Sequence, residues 1–150
     1  QDPESIQTAH TNAAAEGVSD QTQFITESIE AMSLDQQFDL ITACDCIHDF
    51  SAPVETLNAI RTRLSDDGTF FVIEPKAADR LEDNFHPIGT MFYGFSVFHC
   101  MTQSLAAGGP GLGTCMGPAR ARALTREAGF GEFEVLDISS RVNSFYAVRK

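Results

Sequence analysis

Three consecutive stretches decide the fold: FDLITAC at residues 38–44, PVETLNAIRTRL at residues 53–64 and TFFVIE at residues 69–74. The first is nearly continuous in small or apolar residues, as a strand covered on both faces of a parallel sheet is. The second begins with Pro53, places its apolar residues at helical spacing, and is followed by the turn residues Asp66, Asp67 and Gly68. Together they predict a strand–helix–strand unit with parallel strands.

The flanking segments continue the alternation of helices and strands. SIQTAHTNAAAE at residues 5–16 predicts a helix that stops at Gly17, and QFITE at residues 23–27 predicts a short strand. Residues 91–107 and 119–128 predict two further helices, and residues 132–138 and 144–149 predict two further strands. The chain is therefore expected to form an α/β fold as a single domain over residues 1–150.

The composition excludes several classes of partner. The formal net charge of −11 is spread along the chain, which disfavours binding to a phosphate backbone, so nucleic acid is not expected. No stretch has the pattern of a signal peptide or of a convincing membrane span, and a cytoplasmic protein without a membrane partner is expected. The four cysteines do not resemble a secreted disulfide framework and are expected to be reduced thiols.

Residues 84–119 form the least polar stretch and contain no Lys, Arg, Asp or Glu. In an acidic chain, such a stretch is expected to lie in the core, to line an apolar pocket or to form a subunit interface. Its glycine-rich loop at residues 108–113 is not a phosphate-binding loop, because no strand precedes it and no Lys-Ser or Lys-Thr follows. A flexible cover or a plain connector fits this loop better.

Three blocks carry a family resemblance: FDLITACDCIHDF, then LSDDGTFFVIEP, then ALTREAGFGEFEVLDI with a closing FYAVRK. In this order they resemble class I S-adenosylmethionine-dependent methyltransferases. CDCIHD with FHCMTQSL and GGPGLGT is similar to a bacterial group that carries an N-terminal winged-helix domain. The resemblance implies a Rossmann-like sheet with helices on both faces, S-adenosylmethionine as cofactor and methyl transfer to a small molecule. An NAD-type Rossmann domain is disfavoured, because its dinucleotide fingerprint is absent.

The resemblance also implies an incomplete sheet. It starts after the family's glycine-rich loop, since only four residues precede Ser5. In the family's strand order 3-2-1-4-5-7-6, residues 23–27 and 38–44 resemble the third and fourth strands, so the first two strands are missing. The strand at 38–44 would then be an open edge. Three explanations stay open: the chain is a fragment, another chain completes the sheet, or residues 23–27 pair directly with residues 38–44.

Cofactor contacts are expected where strands end, because ligands of such sheets bind at the carboxyl ends of the strands. The resemblance places Ser28 and Ile29 at the adenine, and Asp45 at the methionine end of the cofactor. It places the ribose-binding carboxylate just before or at Asp2.

His48 and Asp49 lie together on the loop that follows the strand at 38–44. An adjacent histidine and carboxylate can form a general base held in one tautomer, which makes His48 the predicted catalytic residue. The alternative is a helix-capping or hydrogen-bonded structural histidine. Asp49 on the loop, Glu74 at the next strand end, and Tyr93 and His99 in the uncharged stretch are predicted to contact the substrate.

No metal site is predicted. Cys44, Cys46 and His48 form a C-x-C-x-H pattern, but structural zinc sites need four ligands and usually use spacings such as C-x₂-C. His99 and Cys100 could add ligands only if the fold brought them near, which the sequence does not indicate.

Two functions follow from these observations. The first is a methyltransferase that requires residues upstream of this chain to complete its cofactor site. The second is a non-catalytic methyltransferase-like remnant that dimerises through residues 84–119. The expected partners are accordingly a small-molecule substrate and either a second copy of the chain or a missing segment.

Overall fold

The computed structural model of the chain describes residues 2–33 and 36–150. The chain divides into two compact units, one within residues 1–34 and one within residues 35–150. The single partial domain over residues 1–150 stays a prediction. None of the helices described is long and apolar enough to cross a membrane.

The first unit is built on helix α1, Pro3–Ala15. The carboxylate of Asp2 caps its N-terminus by accepting hydrogen bonds from the backbone N–H groups of Glu4 and Ser5, and Gly17 follows its end at a φ of 68°. A short 3₁₀ turn follows at Ser19–Gln21. Residues 23–27 form no strand, so the prediction of a strand there was wrong: an extended segment needs a partner for its ladder hydrogen bonds, and no described strand pairs with it.

The second unit contains a four-stranded sheet: β1 Phe38–Cys44, β2 Leu64–Pro75, β3 Glu132–Leu136 and β4 Asn143–Arg149. Among the described strands the order is β1-β2-β4-β3, with β1 parallel to β2 and the other two pairs antiparallel. This arrangement matches the 4-5-7-6 end of the predicted sheet, including its antiparallel seventh strand. The predicted α/β fold, with this strand order, is confirmed.

Helices connect and cover these strands. Helix α2, Pro53–Arg63, joins β1 to β2 as the sequence predicts. Helix α3, Pro87–Phe95, continues through a π-helical turn at Ser96–Cys100 into α4, Met101–Ala106, and α5 spans Gly117–Glu127. The helix predicted over residues 91–107 therefore begins earlier, at Pro87, because the ring of His86 accepts a hydrogen bond from the Gly89 N–H and caps the first turn.

Strand β1 is an edge of the sheet in the part of the chain that the structure describes. Its one partner there is β2, and the side chain of Leu40 is 61% exposed. The register jumps from Phe38 opposite Leu64 to Leu40 opposite Thr69, so the predicted turn at residues 66–68 is a bulge within a longer strand β2. The open edge expected for an incomplete sheet is therefore present.

The core lies around the two central strands. Phe70 and Val72 of β2 and Val148 of β4 are fully buried, and Leu57 of α2 and Leu124 of α5 are buried as well. Such burial stabilises each large apolar side chain by about 1.5–3 kcal/mol. It fixes the sheet and thus the position of its strand ends, where the site described next is built.

Candidate active site

The carboxyl ends of β1 and β2 lie side by side, because the two strands are parallel and Cys44 pairs with Ile73. Asp45 and Glu74, the next residues on each strand, therefore share one edge of the sheet. The backbone N–H of Asp45 donates to the Ile73 carbonyl at 2.8 Å, and Asp45 has a φ of 55°. This left-handed conformation is uncommon for a residue other than glycine, and such outliers cluster at functional sites.

Glu74 fastens the loop that follows β1. Its Oε1 accepts hydrogen bonds from the backbone N–H groups of Cys46 at 3.2 Å and Ile47 at 2.9 Å. Its Oε2 lies 2.5 Å from Nδ1 of His48, and both side chains are buried, with exposed fractions of 3% for Glu74 and 2% for His48. Both carboxylate oxygens are therefore used to hold the 3₁₀ turn Ile47–Asp49 and the imidazole on it.

The imidazole of His48 is held in one orientation. Nδ1 faces Glu74, which leaves Nε2 on the side of Asp49, 3.6 Å from its Oδ1. Burial lowers the pKa of His48, but the hydrogen bond and charge of Glu74 and the charge of Asp49 outweigh it, so that the pKa lies above its usual value. The surroundings therefore stabilise a proton on this ring.

A pocket of about 780 Å³ opens in front of His48. Its polar lining consists of Asp45, His48, Asp49, His99, Thr114 and Asn143. Its remaining lining consists of Pro75, Met91, Phe92, Phe95, Cys100 and Val142. A mostly apolar pocket of this size with a few convergent polar groups is typical of a small-molecule site.

The uncharged segment, residues 84–119, is tied by hydrogen bonds to the loop that follows β1. The hydroxyl of Ser104, on α4, donates to the carbonyl of Phe50 at 3.2 Å and accepts from the N–H of Gly111 at 3.2 Å. The N–H of Gly113 donates to the carbonyl of His48 at 3.3 Å. The glycine-rich loop at residues 108–113 therefore connects α4 to the loop that carries His48 through specific hydrogen bonds.

Two thiols near the loop are kept in the protonated form. Burial raises the pKa of Cys46 to about 11, with a further contribution from the charge of Glu74. Burial also raises the pKa of Cys100, whose sulfur accepts a hydrogen bond from the Thr114 hydroxyl at 3.1 Å. A protonated thiol is a weaker nucleophile than a thiolate.

A family model described as a methyltransferase domain matches residues 1–106. The chain belongs to this methyltransferase family. No curated protein sequence matches the chain significantly.

Solved structures share the fold. One, assigned as an O-methyltransferase of Nostoc punctiforme, has a TM-score of 0.72 at 19% identity, over 97% of this chain and 42% of its own. PigF with SAH has a TM-score of 0.72 at 16% identity, over 99% and 41%. The O-methyltransferase NcsB1 from neocarzinostatin biosynthesis, in complex with S-adenosyl-L-homocysteine and 1,4-dihydroxy-2-naphthoic acid, has a TM-score of 0.64 at 19% identity, over 95% and 38%. The chain thus spans about 40% of the length of these structures.

The structure brings together four of the predicted site residues. Asp45, His48, Asp49 and His99 all line the pocket. Glu74 lies behind His48, outside the pocket lining, and positions the imidazole instead of reaching the pocket itself. Tyr93 lies on α3 and is not among the residues that line this pocket, and its substrate contact stays a prediction.

The other predicted cofactor residues lie in the first unit. Asp2 caps α1. The hydrogen bond from the Ser5 hydroxyl, followed by those from the backbone N–H groups of Ser5 and Glu4, lowers the pKa of its carboxyl. The hydroxyl of Ser28 accepts from the N–H of Ala31 at 3.3 Å, in the turn that also contains Ile29. The ribose and adenine contacts assigned to these three residues stay predictions.

Several pocket residues carry no sequence signal of their own. Cys100 and Thr114 come together across 14 positions of the uncharged segment. Asn143 reaches the pocket because it pairs with Pro75 at the start of the antiparallel strand β4. The absence of charge over residues 84–119 indicated a pocket or an interface, but it did not indicate which side chains face inward.

Proposed function

We propose that the chain carries the acceptor-binding and base-bearing part of a methyltransferase that moves a methyl group from S-adenosylmethionine to a small molecule. The observation that carries this proposal is the buried His48–Glu74 pair behind a mostly apolar pocket, at the carboxyl edge of a methyltransferase sheet. Methyl transfer needs the acceptor atom held in line with the donor and, for a hydroxyl or amine, a base for its proton.

His48 supplies that base in the proposed reaction. Nε2 is the ring nitrogen not engaged by Glu74, and it takes the proton from an acceptor bound in the pocket. The imidazolium that forms is stabilised by the Glu74 carboxylate at Nδ1, as a buried carboxylate does in other histidine-base sites. Glu74 is thus a positioning residue, and His48 is the catalytic residue.

The lining fits S-adenosylmethionine in charge. When bound, this cofactor supplies an electrophilic methyl group on a cationic sulfur. The carboxylates of Asp45 and Asp49 give this end of the pocket a matching negative charge, and the left-handed backbone of Asp45 lies at the strand end where the family binds its cofactor. We assign the methionine end of the cofactor to Asp45. SAH in PigF and S-adenosyl-L-homocysteine in NcsB1 support this cofactor.

The apolar wall favours an apolar or aromatic acceptor. Met91, Phe92 and Phe95 of α3 and Val142 before β4 form this wall, so a ring or alkyl group buries its surface there. The acceptor hydroxyl or amine faces His48 and Asp49. The naphthoic acid in NcsB1 is an aromatic compound of this general kind.

Catalysis is proposed to need residues upstream of this chain. The chain covers 42% of the Nostoc structure, and the family's glycine-rich loop has no counterpart among the 150 residues. The open edge of β1 is where the first strands of the family's sheet pair. A cytoplasmic location stays a prediction.

Isothermal titration calorimetry with S-adenosylmethionine tests the cofactor assignment. We expect measurable heat with the 150-residue chain, and weaker binding for Asp45→Asn than for the matched variant Asp39→Asn, which removes an equal charge from an exposed position of β1. Equal affinity of the two variants would remove Asp45 from the cofactor site. Absence of heat at millimolar cofactor would show that the chain alone does not bind it.

Methyl transfer from radiolabelled S-adenosylmethionine to a panel of phenols tests His48. The assay uses the chain joined to its natural upstream sequence. We expect His48→Ala to lose about 10²–10⁴-fold in rate and to be partly rescued by added imidazole, because the lost group is a general base. His10→Ala, in the first unit, is the control. Full activity of His48→Ala would exclude the proposed base.

A second candidate function is a non-catalytic remnant that dimerises through residues 84–119. It is favoured by exposed apolar side chains on that segment, above all Phe98, which is 86% exposed, with Phe85 and Val97. Sedimentation of the chain and of Phe98→Glu separates the two candidates. A dimer that dissociates in Phe98→Glu, together with no cofactor binding, would favour the remnant.

A further inference from the structure

We propose that His48, Asp49 and Cys100 form a three-ligand site for a zinc-class cation inside the pocket. One potential ligand atom from each residue lies within 4.8 Å of the other two. His48 and Asp49 come from the loop after β1, and Cys100 comes from the covering helix 51 positions further along the chain than Asp49. The three ligands therefore meet only because the helical segment that contains Cys100 packs against the loop after β1.

The donor set matches the chemistry of zinc. Imidazole nitrogen, carboxylate oxygen and thiolate sulfur are its usual protein ligands, and three of them with an open fourth position are typical of sites that exchange a ligand. Zinc bonds of about 2.0–2.3 Å in a tetrahedron separate the ligand atoms by roughly 3.3–3.8 Å. The 3.6 Å between His48 Nε2 and Asp49 Oδ1 lies in that range.

An unsatisfied atom points to a missing partner at this place. Oδ1 of Asp49 is buried and has no hydrogen-bond partner among the described residues, although it faces His48 Nε2. A buried polar atom without a partner costs about 1–3 kcal/mol, and more when it is charged. A cation between Oδ1 and Nε2 would satisfy Oδ1, which at 3.6 Å is too far from Nε2 for a hydrogen bond.

The neighbours of His48 and Cys100 also suit a metal site. Histidines that bind metals almost always donate the other ring N–H to a carboxylate or carbonyl, and the Glu74 Oε2 at Nδ1 of His48 supplies that contact. Thr114 directs its hydroxyl to the Cys100 sulfur. On binding, the Cys100 S–H bond breaks, the sulfur–metal bond forms and the proton leaves to solvent.

The proposed site replaces the pattern that the sequence suggested. Cys44 is exposed on β1, and the thiol of Cys46 is near Glu74, not among the three ligands. His48 is therefore the one residue of the C-x-C-x-H pattern that belongs to the proposed site, and its thiol ligand is Cys100 instead of Cys44 or Cys46. A cation bound to Nε2 would occupy the atom that is proposed to take the proton of the acceptor, so zinc should inhibit methyl transfer. This inhibition rests on the proposed function, whereas binding of the metal does not.

Cobalt titration of the purified chain tests the site without cofactor or acceptor. Co²⁺ stands in for Zn²⁺, and a thiolate ligand produces a sulfur-to-cobalt charge-transfer absorption in the near ultraviolet. We expect one equivalent of Co²⁺ to produce this band in the wild-type chain and Zn²⁺ to displace it. In Cys100→Ser the band should vanish and Zn²⁺ affinity, measured by competition with a chromophoric chelator, should fall roughly tenfold or more.

Cys115→Ser is the matched control, because Cys115 is a half-buried thiol beside Thr114 that is outside the cluster. It should keep the band and the affinity. Asp49→Asn should keep the sulfur band but weaken zinc binding. Circular dichroism of each variant without metal verifies its folding. No stoichiometric metal binding, a band that persists in Cys100→Ser, or equal loss in Cys115→Ser would overturn the proposal, whatever the outcome of the methyl-transfer assay.

Discussion

Replacing Glu74 by Gln separates the two tasks of this buried carboxylate. The amide oxygen of Gln can still accept from the backbone N–H groups of Cys46 and Ile47, which now bind Oε1. Its NH₂ group would face Nδ1 of His48 and cannot accept the ring proton, so the charge-assisted bond at 2.5 Å is lost. A hydrogen bond to a charged group contributes about 1.5–3 kcal/mol, and Glu74→Gln should lower the free energy of unfolding by that amount.

Urea denaturation followed by circular dichroism measures this loss of free energy, and thermal denaturation measures the matching change in melting temperature. At about 2–4 °C per kcal/mol for a chain of this size, the melting temperature should fall by roughly 3–12 °C. Glu74→Ala should be less stable again by at least about 2 kcal/mol, because both backbone N–H groups then lose their buried acceptor.

A double-mutant cycle with His48→Ala isolates the contact between the two side chains. If the imidazole is the partner that matters, Glu74→Gln should cost much less in the His48→Ala background than in the wild type. Equal costs in the two backgrounds, or a Glu74→Gln chain as stable as the wild type, would refute the role assigned to this pair.

Three further predictions concern the rest of the fold. Burial raises the pKa of Tyr146, so its neutral form is favoured in the folded state. The resulting stability is present below about pH 10 and is lost as the pH rises through the raised pKa. Denaturation at about pH 9 and 11 should show this loss in the wild type but not in Tyr146→Phe. In α3, Gly89→Ala should cost about 1–3 kcal/mol by a clash with the Asn84 carbonyl, whereas Gly94→Ala, which meets open space, should add about 0.5–1 kcal/mol in thermal unfolding. Leu40→Lys on the β1 edge should change the free energy of unfolding by less than about 0.5 kcal/mol but reduce self-association in sedimentation.

The strand–helix–strand unit was predictable because its signals are local. Continuous apolar residues in β1, the proline at the start of α2 and the helical spacing within it lie in adjacent stretches of chain. Residues 23–27 were mispredicted because β-prone residues form a strand only when another strand offers hydrogen bonds. The turn at residues 66–68 became a bulge for a related reason: Leu64 pairs with Phe38 and extends β2 backwards.

The candidate site was predictable in its parts but not in its connections. Asp45, His48 and Glu74 each follow a strand, and parallel strands bring such residues to one edge. That Glu74 would bind Nδ1 and stay out of the pocket depends on the register of β1 against β2, which sequence spacing does not determine. Cys100 joined the cluster through the fold of the uncharged segment, whose glycines and small residues give no directional pattern.

The hydrogen bonds of Ser104 and Gly113 limit how a ligand can arrive. They attach residues 104–113 to the carbonyls of Phe50 and His48, on the loop that follows β1. Moving residues 104–113 away from the loop would break these hydrogen bonds and pull on the backbone that carries His48, the proposed base. An acceptor is better admitted sideways, between α3 and the residues before β4, with the pinned contacts intact. Entry by this route would need only rotation of the exposed side chains of Phe95 and Val142, which takes picoseconds to nanoseconds, and would not slow turnover.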